Sequence, residues 1–269
     1  KNIMSTGRNT EVIADATVAL ALQIARQRKI LPNEEIHLAT NQRTLRLQQY
    51  EKGSGFTSHF KVFAMCSAGK NEGSEIFESR VLYDHLSTYL KFLQRLNNSG
   101  IKINDVAVAI ADIRISEKII AKNELNRKEI GRHTRERELR PINEVKGKLL
   151  SYYDNLDELD KQVVADYGIE NNIYTLRRYD DILLSQLRRE FPHVHFVFEM
   201  GRTGGIGYYQ DIVVKIEAIN SQGQKFQIAD GGFVDWTQKL LSNKKERLLT
   251  SGIGTEYVYR VFADKQAEQ

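Results

Sequence analysis

Three closely spaced segments in the C-terminal third leave few folds open to this chain. Residues 207–216 begin with a tyrosine pair, Tyr208 and Tyr209, and run into the β-branched stretch around Val213 and Val214. Residues 229–236 carry Gly231 and Gly232 in an apolar run, and residues 251–256 place Gly252 and Gly254 just ahead of a helical pattern. β-Branched and aromatic residues suit a half-buried pleated surface. A glycine inside a strand marks a close approach of backbone or ligand. Strands are therefore expected at 195–200, 208–219, 225–229 and 247–254, with helices at 235–241 and 255–264.

The remaining periodicities supply the helices that cover such a sheet. Val12, Ile13, Ala16, Ala19, Leu20 and Ile24 follow a 3.6-residue repeat over 11–29, and Pro32 ends it. Short strands at 36–40 and 60–64 flank a roughly alternating stretch, 43–50. The turn-rich residues 51–57 predict a hairpin with a long, mobile loop. Ile76, Phe77, Leu82, Leu86, Leu90 and Leu93 share one face of a helix over 74–96, stopped by the polar residues 97–100. A buried strand follows at 106–115. Residues 116–167 read as helical and charged, broken near Pro141, and another helix spans 174–189. Antiparallel hairpins flanked by helices, without a strict βαβ rhythm, make this an α+β chain. Its organisation reads as a first part of a core (1–115), a charged helical insertion or subdomain (116–190) and the remainder of the core (191–269).

Composition removes several function classes. Apolar runs such as 106–111 fall far short of the ~20 residues a membrane span needs, and no signal peptide follows Lys1. A cytoplasmic location is the default, and the start without methionine leaves room for a preceding segment. One cysteine, Cys66, permits neither an internal disulfide nor a multi-cysteine zinc site; it reads as a small buried apolar residue. His193 and His195 share a strand face with no third ligand at metal spacing. The net charge of +4 equals the excess within residues 117–148, where ten Lys/Arg meet six Glu between Glu117 and Lys148. Such a span can bind RNA through counterion release, and it equally describes a solvated helical face.

The order of these motifs resembles the core of class II aminoacyl-tRNA synthetases of the histidyl type. In residues 12–17 it is still more similar to the regulatory subunit of ATP phosphoribosyltransferase, which lacks the anticodon-binding domain. The resemblance runs from about residue 11 to the end and implies a class II antiparallel sheet flanked by helices. Asp15 and Thr17 stand where the enzymes carry an acid and a threonine that meet the amino group of histidine; an N-cap is an equally physical role for Asp15. Arg43 matches the motif 2 arginine that grips the α-phosphate of ATP, a task suited to a forked guanidinium. Tyr208 and Tyr209 match a tyrosine pair lining the histidine pocket, and Glu256 belongs to the Gly-x-Glu-Arg end of motif 3.

Departures from the family pattern fall where that chemistry is done. The acid expected after Arg43 is Leu45, and a histidine-reading glutamine is Val62. A catalytic arginine expected at Gly204 has Arg202 as its nearest substitute. The motif 3 arginine is Tyr257, with Arg260 about one helical turn away. Losing one such donor typically removes on the order of 3 kcal/mol of transition-state stabilisation, so ordinary histidine adenylation is expected to be crippled. The resemblance then implies a paralogue with a regulatory or ligand-binding role: a homodimer taking an amino-acid-like or nucleotide ligand and a protein partner, a short catalytic transferase. The alternative is a repurposed ligase that activates another carboxylate with ATP and Mg²⁺. It would use Arg43, Arg202 and Arg260, with Asp230, Asp235 and Glu256 near the metal. Against that, Asp230 reads as a turn cap before the glycine pair.

Overall fold

The computed structural model describes residues 4–7, 10–47, 57–124 and 152–263. After a two-residue pairing of β1 (Ser5–Thr6) with β2 (Thr10–Glu11), the chain enters α1 (Ala16–Ile30), β3 (Ile36–Leu45) and β4 (His59–Lys70). Next come α2 (Ile76–Asn98), β5 (Asn104–Asp112) and α3 (Ile113–Lys122). Residues 152–190 hold β6 (Tyr152–Tyr153), a 3-10 turn, α4 (Lys161–Tyr167), α5 (Glu170–Tyr179), a π turn at Asp180–Leu184 and α6 (Ser185–Glu190). The C-terminal part is β7 (His195–Glu199), β8 (Ile212–Ile219), β9 (Lys225–Val234), α7 (Trp236–Leu241), β10 (Glu246–Ile253) and α8 (Thr255–Phe262).

Eight strands form one sheet in the order β3-β4-β10-β9-β8-β5-β7-β6. Every neighbouring pair is antiparallel except β5 with β7. The α+β architecture is thus present. Among the described residues no helix is long and apolar enough to cross a membrane.

The two faces of the sheet are covered differently, and the strand alternation decides what each can present. Odd-numbered residues of β4 and β10 face α2: Gly69 lies against Phe77, Phe63 meets Tyr89 edge-on, and Ser251 bonds to His85. This side holds the large core, to which α2, α5, α8 and residues 183–198 contribute. Even-numbered residues face α1. There Cys66 Sγ approaches Thr17 O at 3.7 Å, and Ala21 and Ile24 pack on Cys66, Ala68, Val234 and Leu248. Burial pushes the Cys66 thiol well above its ordinary pKa, in keeping with a packing role.

Several boundaries differ from the periodicity reading. The expected strand over 208–219 starts only at Ile212, because Gly205 and Gly207 take positive φ and turn the tyrosine pair out of the ladder. The strand expected over 106–115 ends at Asp112, whose carboxylate accepts from Arg114 N and starts α3. The piece 36–40 and the start of the stretch 43–50 form one ten-residue strand, Ile36–Leu45. The helix expected over 174–189 is interrupted by the π turn. The charged span between Glu117 and Lys148 enters the described residues only up to Glu124; its remainder, with Pro141, lies outside them, as do residues 48–56 of the expected mobile loop.

Candidate functional site

Helix α1 and the loop before β8 build one corner of the α1-facing side. Asp15 caps α1: its Oδ1 accepts from Thr17 N at 3.0 Å and from Thr17 Oγ1 at 2.7 Å. Tyr208 OH donates to Asp15 Oδ2 at 3.4 Å and lies 3.4 Å from Thr17 Oγ1. The ring of Tyr208 packs edge-on against Tyr209 (centroids 4.8 Å apart) and Trp236 (5.4 Å). Burial, and then the Asp15 charge, raise the Tyr208 pKa, so its hydroxyl remains a neutral donor. Arg46 closes the corner, donating Nε–H to Ala14 O and placing Nη2 3.8 Å from Asp15 Oδ2. Asp15, Thr17, Tyr208 and Tyr209 are therefore brought together.

The orientation of Tyr209 depends on two glycines. A Cβ on Gly205, whose φ is +97°, would sit 2.4 Å from Tyr209 Cδ2; one on Gly232 would sit 2.7 Å from Tyr209 Cδ1. Gly205→Ala combines backbone strain with that overlap, and the expected loss is on the order of 1–3 kcal/mol. A lowered melting temperature together with an altered near-UV dichroism of the Tyr208–Tyr209–Trp236 cluster is the expected result. Unchanged near-UV signals would show that Tyr209 is placed by other contacts.

Beyond Tyr209 the same face carries a network of charges. Cα partners run Lys215–Asp230, Asp230–Gly252, Gly252–Ala64 and Ala64–Thr40, one row across four strand pairings. Arg202 is buried. It donates from Nε to Gly204 O at 2.9 Å and from Nη2 to Asp230 Oδ1 at 2.8 Å, with Nη1 3.7 Å from Glu199. Burial opposes its charge, but Asp230 and Glu199 outweigh that and raise its pKa. Lys215 is buried too and donates to Tyr152 OH (2.7 Å) and Glu199 Oε1 (3.0 Å), with Glu217 at 3.3 Å. Here as well burial opposes the charge and Glu199 prevails, raising the pKa. The one signal for this network in the sequence is Lys215 itself, a lysine inside a β-branched run.

Arg43, Glu256 and Arg260 gather elsewhere. Arg43 is the Cα partner of Lys61, in phase with Phe63 and Ser67, so it belongs to the face carrying α2. Its Nη1 meets Glu256 Oε2 at 3.0 Å, the same oxygen accepts from Lys61 N at 3.1 Å, and Arg260 Nη2 lies 3.4 Å from Glu256 Oε1. Val62, by contrast, pairs with Gln42 on the α1-facing side. In the sequence reading Arg43 stands at the ATP α-phosphate and Val62 at the histidine-reading position. Because successive strand residues alternate faces, the observed register separates them.

No protein-family model matches the sequence, and no curated protein matches it. Solved structures do. A histidyl-tRNA synthetase from a Nostoc species superposes with a TM-score of 0.61 at 15% identity, over 96% of this chain and 60% of that one. An ATP phosphoribosyltransferase regulatory subunit/histidyl-tRNA synthetase from Bacillus halodurans gives 0.60 at 13% identity, over 97% and 68%. The fold is that of the class II, histidyl-tRNA synthetase-like core. A third structure, the ATP phosphoribosyl transferase (HisG:HisZ) complex from Thermotoga maritima, matches with a TM-score of 0.55 at 13% identity, over 94% of this chain and 84% of that one. The chain spans about three-fifths of the Nostoc synthetase. On this synthetase-like core, the corner of Asp15, Tyr208 and Trp236 and the row from Lys215 to Thr40 share the α1-facing side.

Proposed function

We propose that this chain is a histidyl-tRNA synthetase-like paralogue with a regulatory or ligand-binding role and without ordinary histidine adenylation. The observation that carries this reading is Arg202, buried and already neutralised by Asp230 and Glu199. A buried guanidinium held by two carboxylates has to be released from them before it can meet a phosphate, and breaking a pair at a buried charge is expensive. Arg43 and Arg260 are likewise engaged with Glu256 and lie off the α1-facing side. The residues do not fit an ATP–Mg²⁺ group. Asp230 is paired with Arg202, Asp235 with Lys239 at 2.7 Å and Glu256 with Arg43. Among the described residues no three His, Cys, Asp or Glu side chains are grouped to hold a metal.

The ligand in this reading is small and amino-acid-like, its ammonium facing Asp15 and the Tyr208 hydroxyl. The likeness to the HisG:HisZ complex supports a protein partner of the transferase type, and we include a cytoplasmic homodimer in the same proposal. A thermal-shift screen with amino acids, histidine first, tests it: ligand at 100 times its dissociation constant adds about 2.7 kcal/mol. Asp15→Ala is expected to abolish that shift while lowering the stability of the free protein by about 1 kcal/mol, the usual value of a helix cap. A ligand-induced shift that survives Asp15→Ala would remove this corner from the site.

A further inference from the structure

Beneath the sheet, on the side away from the proposed ligand corner, five side chains form one hydrogen-bonded line. It starts at His37 on the edge strand β3, where Nε2 lies 3.4 Å from Glu35 Oε2. His37 Nδ1 meets Ser67 Oγ at 2.9 Å, and Ser67 Oγ meets His85 Nε2 at 2.8 Å. His85 Nδ1 meets Ser251 Oγ at 2.8 Å, which meets Tyr89 OH at 2.7 Å. His37 is open to solvent, whereas Ser67, His85, Ser251 and Tyr89 are buried. The line thus leads from water into the core, reaches β10 at Ser251, one residue before Gly252 in the row described above, and ends at Tyr89 on α2.

Donor counting fixes its direction. Each hydroxyl has one hydrogen and a neutral imidazole has one N–H. With His37 neutral and its Nε2–H directed at Glu35, Nδ1 accepts from Ser67. Ser67 then accepts from His85 Nε2–H, His85 Nδ1 accepts from Ser251, and Ser251 accepts from Tyr89. Every group is satisfied. If His37 gains a proton, Nδ1 becomes a donor, and reversing each step keeps the line continuous: Ser67 donates to His85 Nε2, His85 donates from Nδ1 to Ser251, and Ser251 donates to Tyr89. The two states differ by the single proton taken from solvent at His37. In the second state the Tyr89 hydroxyl hydrogen loses its acceptor and faces a small cavity lined by Leu82, Leu86 and His85.

We propose that this line is a pH-sensitive relay, in which protonation of His37 at the surface switches the tautomer of buried His85 and the hydrogen bonding of Ser251 on β10. The groups around it are compatible. His37 faces Glu35 beside it and His85 on α2; Arg80 of α2 holds Glu35 from both guanidinium nitrogens and also reaches Glu72. Deeper in, Cys66 of β4 stands near Tyr89. Burial, with a smaller contribution from His37, pushes His85 down to about 3, so it changes tautomer and not charge.

Long-range ¹H–¹⁵N correlation spectra of the histidine-labelled full chain, recorded from pH 5 to 8, test the relay. The expected result is His85 carrying its proton on Nε2 at high pH and on Nδ1 at low pH, along the same titration curve as His37. In His37→Phe and in Ser67→Ala, the His85 tautomer should no longer follow pH; the first alters an exposed side chain and the second only trims a hydroxyl. One His85 tautomer throughout the His37 titration, or an unaltered pH response in either variant, would overturn the relay.

Discussion

Glu246→Gln is expected to destabilise the protein by roughly 3–5 kcal/mol, the usual result of removing one partner from a buried ion pair. The Arg28 and Glu246 side chains are 1% and 3% exposed and pair twice, Nε to Oε2 at 3.0 Å and Nη2 to Oε1 at 2.8 Å. Arg28 also donates to Glu34 O, and Glu246 O accepts from Gln238 Nε2. Glutamine keeps the shape but leaves the guanidinium uncompensated. At about 2–4 °C per kcal/mol for a chain of this size, the melting temperature should fall by on the order of 10 °C. Replacing both partners by apolar residues of similar volume should cost far less. A double variant as unstable as Glu246→Gln would contradict an electrostatic cause. The pair anchors the C-terminal half of α1 to β10, so the same experiment asks what holds Asp15 over the sheet.

Asp211→Asn is expected to do the opposite at neutral pH. Burial is the main cause that raises the Asp211 pKa from 3.8 to about 6, with Asp112 and Glu78 adding to it against Arg114. Glu78 Oε2 is itself buried with no hydrogen-bond partner among the described residues. A folded-state pKa above the unfolded one gives a favourable contribution that is complete below about 3.8 and is lost as the pH rises through about 6. The difference, 6 − 3.8 or about 2.2 units, corresponds to an upper bound of about 3 kcal/mol. Asparagine keeps an oxygen for Ile212 N–H, which Asp211 Oδ1 accepts at 2.6 Å. Urea unfolding should show the variant more stable by on the order of 1–3 kcal/mol at pH 7.5 and equal to the parent near pH 4. Equal stability at pH 7.5 would mean that the cluster already neutralises Asp211.

Much of the fold could be read from the chain because its signals are local. The β-branched run at 212–216, the glycine pair and the glycine-rich approach to α8 each specify a strand from side-chain shape alone. So does the leucine-rich face of α2. What escaped the reading depends on register. The face that Arg43 takes follows from the pairing of β3 with β4, and one residue of offset would turn its side chain to the other face. Asp15 and Tyr208, 193 positions apart, were linked only through a family resemblance; nothing in their spacing brings them together. The partners of Arg202 lie on β7 and β9, and the His37–Tyr89 line crosses β3, β4, α2 and β10, so neither leaves a contiguous trace.

The central claim is that Arg43, Arg202 and Arg260, paired with the chain's own carboxylates, do not grip a triphosphate. ATP–pyrophosphate exchange with histidine, extended to a panel of other amino acids, tests it most directly. The account predicts no exchange above the protein-free background, for histidine or any other amino acid. Histidine-dependent exchange on the order of 1 s⁻¹, an ordinary enzymatic turnover, would contradict it.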